Sequence, residues 1–295
     1  MRILVAGGFG QVGRALADQS LKMKVDLIAL DRTELDIACT SSITSAFDKF
    51  KPDILINAAA YTSVDDAEIE SKLAFEINEH STARLADACA RARIPMIHLS
   101  TDYVFDGLKQ GLYKENDPVN PLTVYGLSKE RGERMLRKIL TKHIILRTSW
   151  IYGIWGNNFV KTILRLAASQ SRLEVVSDQA GGPTSARSIS EILLKIISRY
   201  ERTEDLPWGT YHFSQKPYVT WNKLAEHVVS KGKGMGLIFR EVEVHAISSR
   251  ELNARACRPC NSCLDTSLIE NTFGLEQSYW TDEIANLLIA IENLG

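Results

Sequence analysis

Short apolar runs recur along the first half of the chain and alternate with stretches of amphipathic helical pattern. The apolar runs predict strands at residues 3–6, 27–30, 54–60, 96–99 and 144–146. The patterns between them predict helices at 11–20, 41–50, 71–93 and 121–140. Strands that alternate with helices indicate a parallel sheet with right-handed crossovers. We therefore predict an α/β protein with a Rossmann-type, doubly wound parallel sheet.

After Trp150 the alternation becomes less regular. The pattern here predicts helices at 158–169, 189–200, 220–229 and 281–294 and short strands at 173–176, 209–213 and 239–244. Thr220 and Thr281 are predicted to cap the last two helices. This pattern predicts a smaller α+β substrate domain over 151–295 beside a nucleotide-binding domain over 1–150. Helices near 188–202 and 219–231 are expected to return to the first domain.

A glycine motif follows the first predicted strand and begins the first predicted helix. Its spacing is Gly7-x-x-Gly10-x-x-Gly13. Gly7 permits a tight turn, Gly10 lets the backbone approach a pyrophosphate, and Gly13 lets the helix pack on the strand. The amino terminus of a helix also attracts phosphate charge. The motif in this setting predicts a dinucleotide-binding site.

The residues after the second predicted strand bear on the choice of cofactor. Asp31 lies where a carboxylate commonly accepts hydrogen bonds from the adenosine ribose, which favours NADH. Arg32 can instead pair with a ribose 2′-phosphate, which favours NADPH. The two residues argue in opposite directions, so the predicted cofactors are NADPH, NADH or both.

Thr101, Tyr125 and Lys129 form a candidate proton-donor set. On one helix, Tyr125 and Lys129 lie four residues apart on the same face. Such a pair is usually a solvated surface pair, but the glycine motif favours an active site. We then expect the Lys129 ammonium to lower the Tyr125 pKa from about 10, making the phenol a general acid. Thr101 is expected to hydrogen-bond the same substrate oxygen.

Composition and charge exclude several classes of protein. The chain has 295 residues, is 45% hydrophobic and carries a net charge of −1, so we expect no nucleic-acid partner. No apolar run approaches the ~20 residues needed to cross a bilayer, and residues 1–6 resemble a strand rather than a signal peptide. These features predict a soluble, cytoplasmic protein with no membrane partner.

The five cysteines do not suggest a disulfide framework. The spacing Cys257-x-x-Cys260-x-x-Cys263 is similar to that of some metal and iron–sulfur sites. A cluster would need a fourth thiolate from Cys39 or Cys89, which both lie in the nucleotide-binding half. Incidental cysteines are the favoured interpretation, and no metal site is predicted.

Motifs along nearly the whole chain resemble those of the extended short-chain dehydrogenase/reductases, and within them the dTDP-4-dehydrorhamnose reductase family. They include Asn57-Ala-Ala-Ala-Tyr61, Arg147-Thr-Ser-Trp150, Asn158-Phe-Val160, Asp178-Gln-x-Gly181-x-Pro183 and Arg258-Pro-x-Asn261-Ser262-x-Leu264-Asp265. The resemblance implies hydride transfer from NADPH or NADH to C4 of a dTDP-linked 4-keto-6-deoxyhexose. It also implies that Tyr125 protonates the new alkoxide, Lys129 holds the nicotinamide ribose, and Thr101 orients the carbonyl.

The candidate site residues fall into two groups. Those expected at the cofactor are Gly7, Phe9, Gly10, Gln11, Val12, Gly13, Asp31, Arg32, Asp36, Ile37, Asn57, Ala58, Ala59, Tyr61, Ser100, Tyr125 and Lys129. Those expected at the substrate are Thr101, Asp102, Tyr103, Val104, Trp150, Asn158 and Arg258. For Trp150, a core aromatic at a domain junction is an equal alternative. Arg258 is expected to order the substrate half and to contact the diphosphate.

Other members of the superfamily suggest alternatives. Dehydratases place an Asp-Glu pair after the threonine, whereas this chain has Asp102-Tyr103, which favours simple reduction. A 4-epimerase and a non-catalytic, NADP-binding regulatory subunit of methionine adenosyltransferase remain alternatives, as does reduction of another nucleotide-linked deoxysugar. Some related reductases dimerise through magnesium. The acid in the segment 11–20 is Asp18 alone, so we expect a monomer or a homodimer without a metal bridge.

Overall fold

A six-stranded parallel sheet forms the centre of the protein. The computed structural model describes residues 1–276 and 278–293. The strands are β1 (Arg2–Ala6), β2 (Asp26–Leu30), β3 (Ile54–Asn57), β4 (Met96–Thr101), β5 (His143–Thr148), β6 (Ile151–Tyr152), β7 (Arg172–Val176), β8 (Ala180–Gly181), β9 (Thr184–Ser185), β10 (Gly209–His212), β11 (Val219–Thr220) and β12 (Glu243–Ile247).

Helices cover both faces of this sheet and form much of the smaller layer beside it. They are α1 (Gln11–Met23), α2 (Thr40–Phe50), α3 (Val64–Ala67), α4 (Ser71–Phe75), α5 (Ser81–Ala92), α6 (Val124–Ile139), α7 (Phe159–Ser169), α8 (Ala186–Thr203), α9 (Trp221–Gly234), α10 (Ser249–Leu252), α11 (Ser267–Phe273) and α12 (Trp280–Glu292). A π-helical turn (Glu76–His80) joins α4 to α5, and a 3₁₀ turn (Asp102–Val104) follows β4.

The central strands are apolar on both sides because both faces of the sheet are covered. Ile3 and Val5 of β1 pack into one core, with α1 and α8, whereas Leu4 packs into the other, with α2 and α5. This alternation follows from the two-residue period of a strand. Near-continuous apolar runs are typical of strands buried in this way. The predicted α/β class with a doubly wound parallel sheet is therefore confirmed.

The strand order places a crevice at the carboxyl edge of the sheet. The order is β2-β1-β3-β4-β5-β10, so the chain runs outward in one direction from β1 and then in the other direction from β3. In open parallel sheets, ligands bind where the order reverses, just beyond the strand ends. The glycine loop after β1 and the ends of β3 and β4 lie at this edge.

The second half of the chain divides differently from the prediction in two places. Helix α8 packs along α1, as expected for a returning helix. Helix α9 does not return, because its apolar face packs with α7 and α12 in a separate core. The strand predicted at 209–213 is β10, and it joins the central sheet beside β5. Its weak local pattern of four residues gave no indication of this pairing. The boundary at residue 150 itself stays a prediction.

Three element boundaries also differ. The predicted helix over 71–93 is interrupted by the π-helical turn, in which the Asn78 carbonyl lies against Gly132 of α6. The strand predicted at 239–244 lies at Glu243–Ile247, paired with β7. The cap of α12 is Tyr279 rather than Thr281, because the buried Trp280 already belongs to the helix. The predicted end near Leu294 lies outside the described residues.

Thr220 caps α9 as predicted, through its hydroxyl and the Lys223 N–H. Within residues 1–276 and 278–293, no helix has both the length and the apolar character needed to cross a membrane.

Candidate active site

The glycine loop is packed so closely that side chains are excluded. Gly7 has a φ of 79°, and a Cβ there would lie 2.6 Å from the Ala59 nitrogen. A Cβ on Gly13 would lie 2.3 Å from the Gly7 carbonyl oxygen, so the helix rests directly on the turn. A Cβ on Gly8, a residue that was not predicted, would lie 2.6 Å from the Ala29 backbone carbon of β2. The turn and packing roles expected of Gly7 and Gly13 therefore agree with this geometry.

The loop also forms the amino terminus of α1. Gly10 is the N-cap and has no side chain to satisfy the first N–H groups of the helix. Such groups suit an anion. Gln11 and the buried Val12 are the first helical residues, whereas the ring of Phe9 is exposed. The approach of a pyrophosphate to Gly10 stays a prediction, and the amino terminus of α1 is compatible with it.

A cleft lies beside the loop. Eight of the predicted cofactor residues line it, namely Gly7, Gly10, Arg32, Asp36, Ile37, Ala58, Ala59 and Tyr61. The cleft is also lined by the apolar side chains of Leu35, Leu73 and Ile77, which were not predicted. Apolar walls around a few polar groups suit an adenine and its ribose.

Asp31 has a local role at the end of β2. Its Oδ1 accepts hydrogen bonds from the Thr33 hydroxyl at 2.7 Å and from the Thr33 and Glu34 N–H groups at 2.8 and 3.0 Å. The Thr33 hydroxyl and the Glu34 N–H lower the pKa of Asp31. The carboxylate is thus ionised and fixed in a turn, and Oδ2 remains the oxygen available to a ribose hydroxyl. Arg32 is exposed at the cleft.

Thr101 and Tyr125 meet at the end of β4. The Thr101 hydroxyl lies close enough to the Tyr125 phenol to lower its pKa. Thr101 Oγ1 also donates to Asp102 Oδ1 at 3.0 Å and accepts from the Tyr103 N–H at 3.2 Å. Gly126 lets α6 pack closely against the 3₁₀ turn, because a Cβ there would lie 2.2 Å from the Tyr103 carbonyl oxygen. The predicted threonine and tyrosine are therefore brought together.

The expectation that Tyr125 has a lowered pKa is wrong for this structure. Burial raises the pKa of Tyr125 to about 12, the Thr101 hydroxyl opposes the rise, and the nearby Asp102 carboxylate adds to it. The Lys129 amino group contacts other residues. It donates to the Leu99 carbonyl oxygen at 2.7 Å and lies 3.3 Å from His98 Nε2. Sequence spacing predicted a shared helix face but not the direction of the lysine.

Lys129 is almost completely buried, and burial lowers its pKa to about 8, although Glu133 opposes the change. Two further polar residues lie behind it. His98 and Asn57 are both fully buried, and their side chains are 3.1 Å apart. Asn57 was predicted at the cofactor, but its amide serves His98 and the Ala59 N–H. His98 was missed, although a histidine inside an apolar strand was a visible signal.

Three predicted residues near Thr101 are buried. Burial raises the pKa of Asp102 to about 6, while the hydroxyls of Ser262 and Thr101 oppose the change. Ser100 donates to Glu133 Oε1 at 2.6 Å, so its hydroxyl belongs to a structural network. Val104 is fully buried in a small apolar cluster. Direct ligand contacts by Ser100 and Val104 stay predictions.

Trp150 is held in an unusual backbone conformation. Its φ is 48°, which is rare for a bulky residue and is often found at functional sites. The indole stacks on Trp221 with centroids 3.5 Å apart and an interplanar angle of 8°. Gly181 lies against the indole, leaving no room for a side chain. The alternative of a packed aromatic therefore has direct support, and a sugar contact stays a prediction.

Asn158 joins the two halves of the protein. Its Oδ1 caps α7 by accepting from the Lys161 N–H at 3.1 Å. Its Nδ2 donates to Gly153 O at 2.7 Å and to Gln11 Oε1 at 3.0 Å. The side chain thus connects the glycine loop to the substrate half, and the predicted substrate contact remains untested.

Arg258 is tied to the first half of the chain. Its guanidinium forms an ion pair with Asp65, which also accepts from the Ala256 N–H at 2.9 Å. Arg258 also lies close enough to the Tyr103 phenol to oppose the rise in its pKa that burial causes. Asp65 was not among the predicted site residues. The pair holds the segment around Arg258 against α3 and the site.

The described part of the chain contains no cluster of three or more histidine, cysteine or acidic residues that could hold a metal ion. Cys257 and Cys260 are exposed, whereas Cys263 is buried. Asp18 accepts a hydrogen bond from Trp155 Nε1 at 3.1 Å.

Comparisons with known proteins identify the family of this chain. The family model described as RmlD substrate binding domain matches residues 1–293. A dTDP-4-dehydrorhamnose reductase of Aggregatibacter actinomycetemcomitans is 44% identical over 97% of this chain and 98% of its own. The crystal structure of a dTDP-4-dehydrorhamnose reductase from Clostridium acetobutylicum superposes with a TM-score of 0.91, at 33% identity over 99% of this chain and 100% of its own.

The crystal structure of the Bacillus anthracis dTDP-4-dehydrorhamnose reductase, in complex with NADP, superposes with a TM-score of 0.89. It is 33% identical over 98% of this chain and 99% of its own. With a family model that spans the chain and relatives that match its full length, the protein belongs to the dTDP-4-dehydrorhamnose reductase family, the family of the RmlD substrate binding domain.

Proposed function

We propose that this protein uses NADPH or NADH to reduce the 4-oxo group of dTDP-4-dehydro-6-deoxy-L-mannose. The product is dTDP-L-rhamnose, a precursor of cell-surface polysaccharides. The adjacent hydroxyl groups of Thr101 and Tyr125 carry the proposal, because they lie at the carboxyl edge of the sheet and Lys129 is buried on the same helix as Tyr125. The location of the protein in the cell and its state as a monomer or a homodimer stay predictions.

The residues at the crevice fit a nicotinamide dinucleotide. Gly7 and Gly13 form a turn without side chains, and the adjacent cleft has apolar walls for an adenine. The Gly10 N–H is used within the turn, where it donates to the Gly7 carbonyl oxygen, so the first N–H groups of α1 would meet the pyrophosphate. When bound, the reduced cofactor supplies the hydride that is delivered to C4.

Tyr125 is suited to donate the proton. With a pKa of about 12, the phenol keeps its proton at neutral pH until charge develops on the substrate oxygen. Thr101 is held by Asp102 and the Tyr103 N–H, and its hydroxyl orients the carbonyl beside Tyr125 once its proton turns from Asp102 to the substrate oxygen. The family resemblance assigns to the Lys129 cation the stabilisation of the phenolate that remains, which requires its amino group to move from the Leu99 carbonyl toward Tyr125.

The residue after Asp102 favours reduction over dehydration. Tyr103 supplies no carboxylate, and burial raises the pKa of its phenol, which leaves it without a charge at neutral pH. Its ring packs edge-on against Tyr125 with centroids 5.6 Å apart. Tyr103 thus shapes the pocket around the proton donor rather than acting as a base.

The proposal is tested by following NADPH absorbance with enzymatically prepared dTDP-4-dehydro-6-deoxy-L-mannose. We expect catalytic consumption of NADPH with this sugar and none with dTDP-glucose, which lacks the 4-oxo group. Binding of NADPH without turnover would instead favour the regulatory subunit of methionine adenosyltransferase. Turnover with another nucleotide-linked 4-ketosugar alone would change the substrate but not the reaction class.

Arg32 should distinguish the two cofactors. We expect Arg32→Ala to raise the KM for NADPH by about tenfold or more, because a charge-assisted contact with the 2′-phosphate is lost. The KM for NADH should change by only about twofold. Initial-rate kinetics with both cofactors on the same variant provide the internal control. An equal loss for both would place Arg32 in another role.

Arg258 should affect the sugar and not the cofactor. We expect Arg258→Ala to lower kcat/KM for the dTDP-sugar by about 10–100-fold through loss of a charged contact, while NADPH affinity measured by fluorescence stays nearly unchanged. Asp65→Asn is the matched control, because it breaks the same ion pair but keeps the guanidinium. Equal losses in both variants, with lowered thermal stability, would indicate a purely structural role.

A further inference from the structure

A fully buried histidine stands directly behind the active-site lysine. His98 of β4 has none of its surface exposed, and its Nε2 lies 3.3 Å from Lys129 Nζ. On the other side of the ring, Nδ1 lies 3.1 Å from Asn57 Nδ2 of β3. A continuous chain of polar side chains therefore runs from Lys129 through the sheet to β3.

The hydrogen bonds of Asn57 determine where the proton of His98 lies. Asn57 Oδ1 accepts from the Ala59 N–H at 3.1 Å, so the amide nitrogen is the group that faces His98. An amide nitrogen only donates, and His98 Nδ1 must therefore accept. Burial and the charge of Lys129 lower the pKa of His98 well below its usual value, which keeps the ring neutral. The single ring proton is then on Nε2, the atom that faces Lys129.

This arrangement conflicts with a charged lysine. An ammonium group has three N–H donors and no acceptor, whereas an uncharged amine has a lone pair. Lys129 Nζ already donates to the Leu99 carbonyl oxygen at 2.7 Å. The N–H of His98 can be satisfied only by the uncharged amine. A charged Lys129 requires the other tautomer, a rotated Asn57 amide and the loss of the Ala59 hydrogen bond.

The charged groups around His98 do not remove this conflict. Lys129, Glu133 and Arg137 of α6 and His143 of β5 act on it, and the partner from β3 is the uncharged amide already described. Glu133 favours the charged lysine, but burial of Lys129 opposes and outweighs it. Glu133 and burial thus act in opposite directions on the charge of Lys129. The direction of the hydrogen bond at His98 then determines which charge state fits.

We propose that His98, oriented by Asn57, is a positioning residue that controls the charge of Lys129. In the free protein the imidazole N–H favours the uncharged amine, and rotation of the Asn57 amide admits the ammonium. The same rotation releases the Ala59 N–H at the wall of the cofactor cleft. This inference rests on the proposed reduction, in which the Lys129 cation stabilises the phenolate of Tyr125.

Two variants should move the pH dependence in the same direction. In Asn57→Asp, the second oxygen accepts a proton from His98 Nδ1, leaving Nε2 free to accept from the ammonium. In His98→Gln, the amide oxygen can face Lys129 without any added charge. Each variant should shift the alkaline limb of the kcat profile upward by about one pH unit, a tenfold change in the ionisation equilibrium.

A neighbouring buried histidine provides the matched control. His143 contacts the Leu140 carbonyl oxygen at 2.5 Å rather than Lys129, so His143→Gln should leave the limb in place. An unchanged limb in both Asn57→Asp and His98→Gln would overturn the proposal. A shift of the same size in His143→Gln would also overturn it, because it would show a general effect of buried histidines.

A second measurement does not depend on turnover. The protein has six histidines, and in ¹⁵N-histidine-labelled protein the His98 signals are identified by their loss in His98→Gln. Imidazole nitrogen shifts should show the Nε2–H tautomer in the wild type and the Nδ1–H tautomer in Asn57→Asp. The Nδ1–H tautomer in the free wild-type protein would refute the inference. Failure of the proposed reduction would instead appear as absent NADPH consumption by the wild type.

Discussion

Replacing Tyr125 with phenylalanine should lower kcat by about 10²–10⁴-fold, the usual contribution of a positioned general acid. The ring remains to pack against Tyr103, but the proton donor beside Thr101 is lost. NADPH affinity should be retained, because the glycine loop and the adenine cleft are untouched. Steady-state kinetics with the dTDP-linked 4-ketosugar, combined with a fluorescence titration of NADPH, measure the two effects separately.

Tyr200→Phe is the control for this substitution. Tyr200 also loses a hydroxyl, but its ring packs against Trp208, away from the candidate site. Its kcat should stay within about twofold of the wild type, since a surface change of this kind is usually nearly neutral. A Tyr125→Phe enzyme with a similarly unchanged kcat would remove Tyr125 from the role of proton donor.

The second large effect concerns stability. Glu133 is fully buried and accepts hydrogen bonds from Arg147 at 2.7 and 2.9 Å, from Arg137 at 2.7 Å and from Ser100 at 2.6 Å. Glu133→Leu leaves the buried Arg147 without its counter-charge. We expect it to lower the free energy of unfolding by about 3–5 kcal/mol, measured by urea denaturation.

A double variant tests the cause of this loss. Replacing the pair together, as Glu133→Leu with Arg147→Met, removes the unpaired charge and should recover part of the stability. Glu226→Gln is the control, because its pair with Lys223 is exposed and should contribute less than about 1 kcal/mol. A loss below about 1 kcal/mol in Glu133→Leu would contradict the account of a buried, interlocked pair.

The same pair predicts how stability depends on pH. Burial opposes ionisation of Glu133, but Arg147, Arg137 and Ser100 outweigh it and lower its pKa to about 2 from an ordinary value of 4.5. A depressed pKa means that the contribution is fully present above about pH 4.5 and is lost as the pH falls toward 2. Acid unfolding of the wild type in this window should therefore be steeper than that of Glu133→Leu.

Local patterns were sufficient to predict the elements that form the cofactor half. The strands from β1 to β5 are apolar on both faces, so each was visible as a short run. Gly7 and Gly13 were readable because the turn excludes any side chain at these positions. The weaker strand β10 shows the limit, since its place beside β5 depends on a contact with residues far away in the chain.

The polar interior could not be predicted in the same way. The spacing of Tyr125 and Lys129 does not show that the Lys129 amino group contacts Leu99 and His98, because both of these residues belong to β4. The role of Arg258 likewise depends on Asp65, which lies 193 residues away. Buried polar groups need partners with suitable geometry, and such partners are chosen by the fold rather than by local sequence.

The most direct test of the proposed reduction is to follow the transferred hydrogen. The protein is incubated with dTDP-4-dehydro-6-deoxy-L-mannose and NADPH that carries deuterium at nicotinamide C4, in the transferred position. Mass spectrometry and NMR should identify dTDP-L-rhamnose with one deuterium at sugar C4. A product without deuterium at C4, or recovery of the ketosugar and labelled NADPH unchanged, would contradict the proposed function.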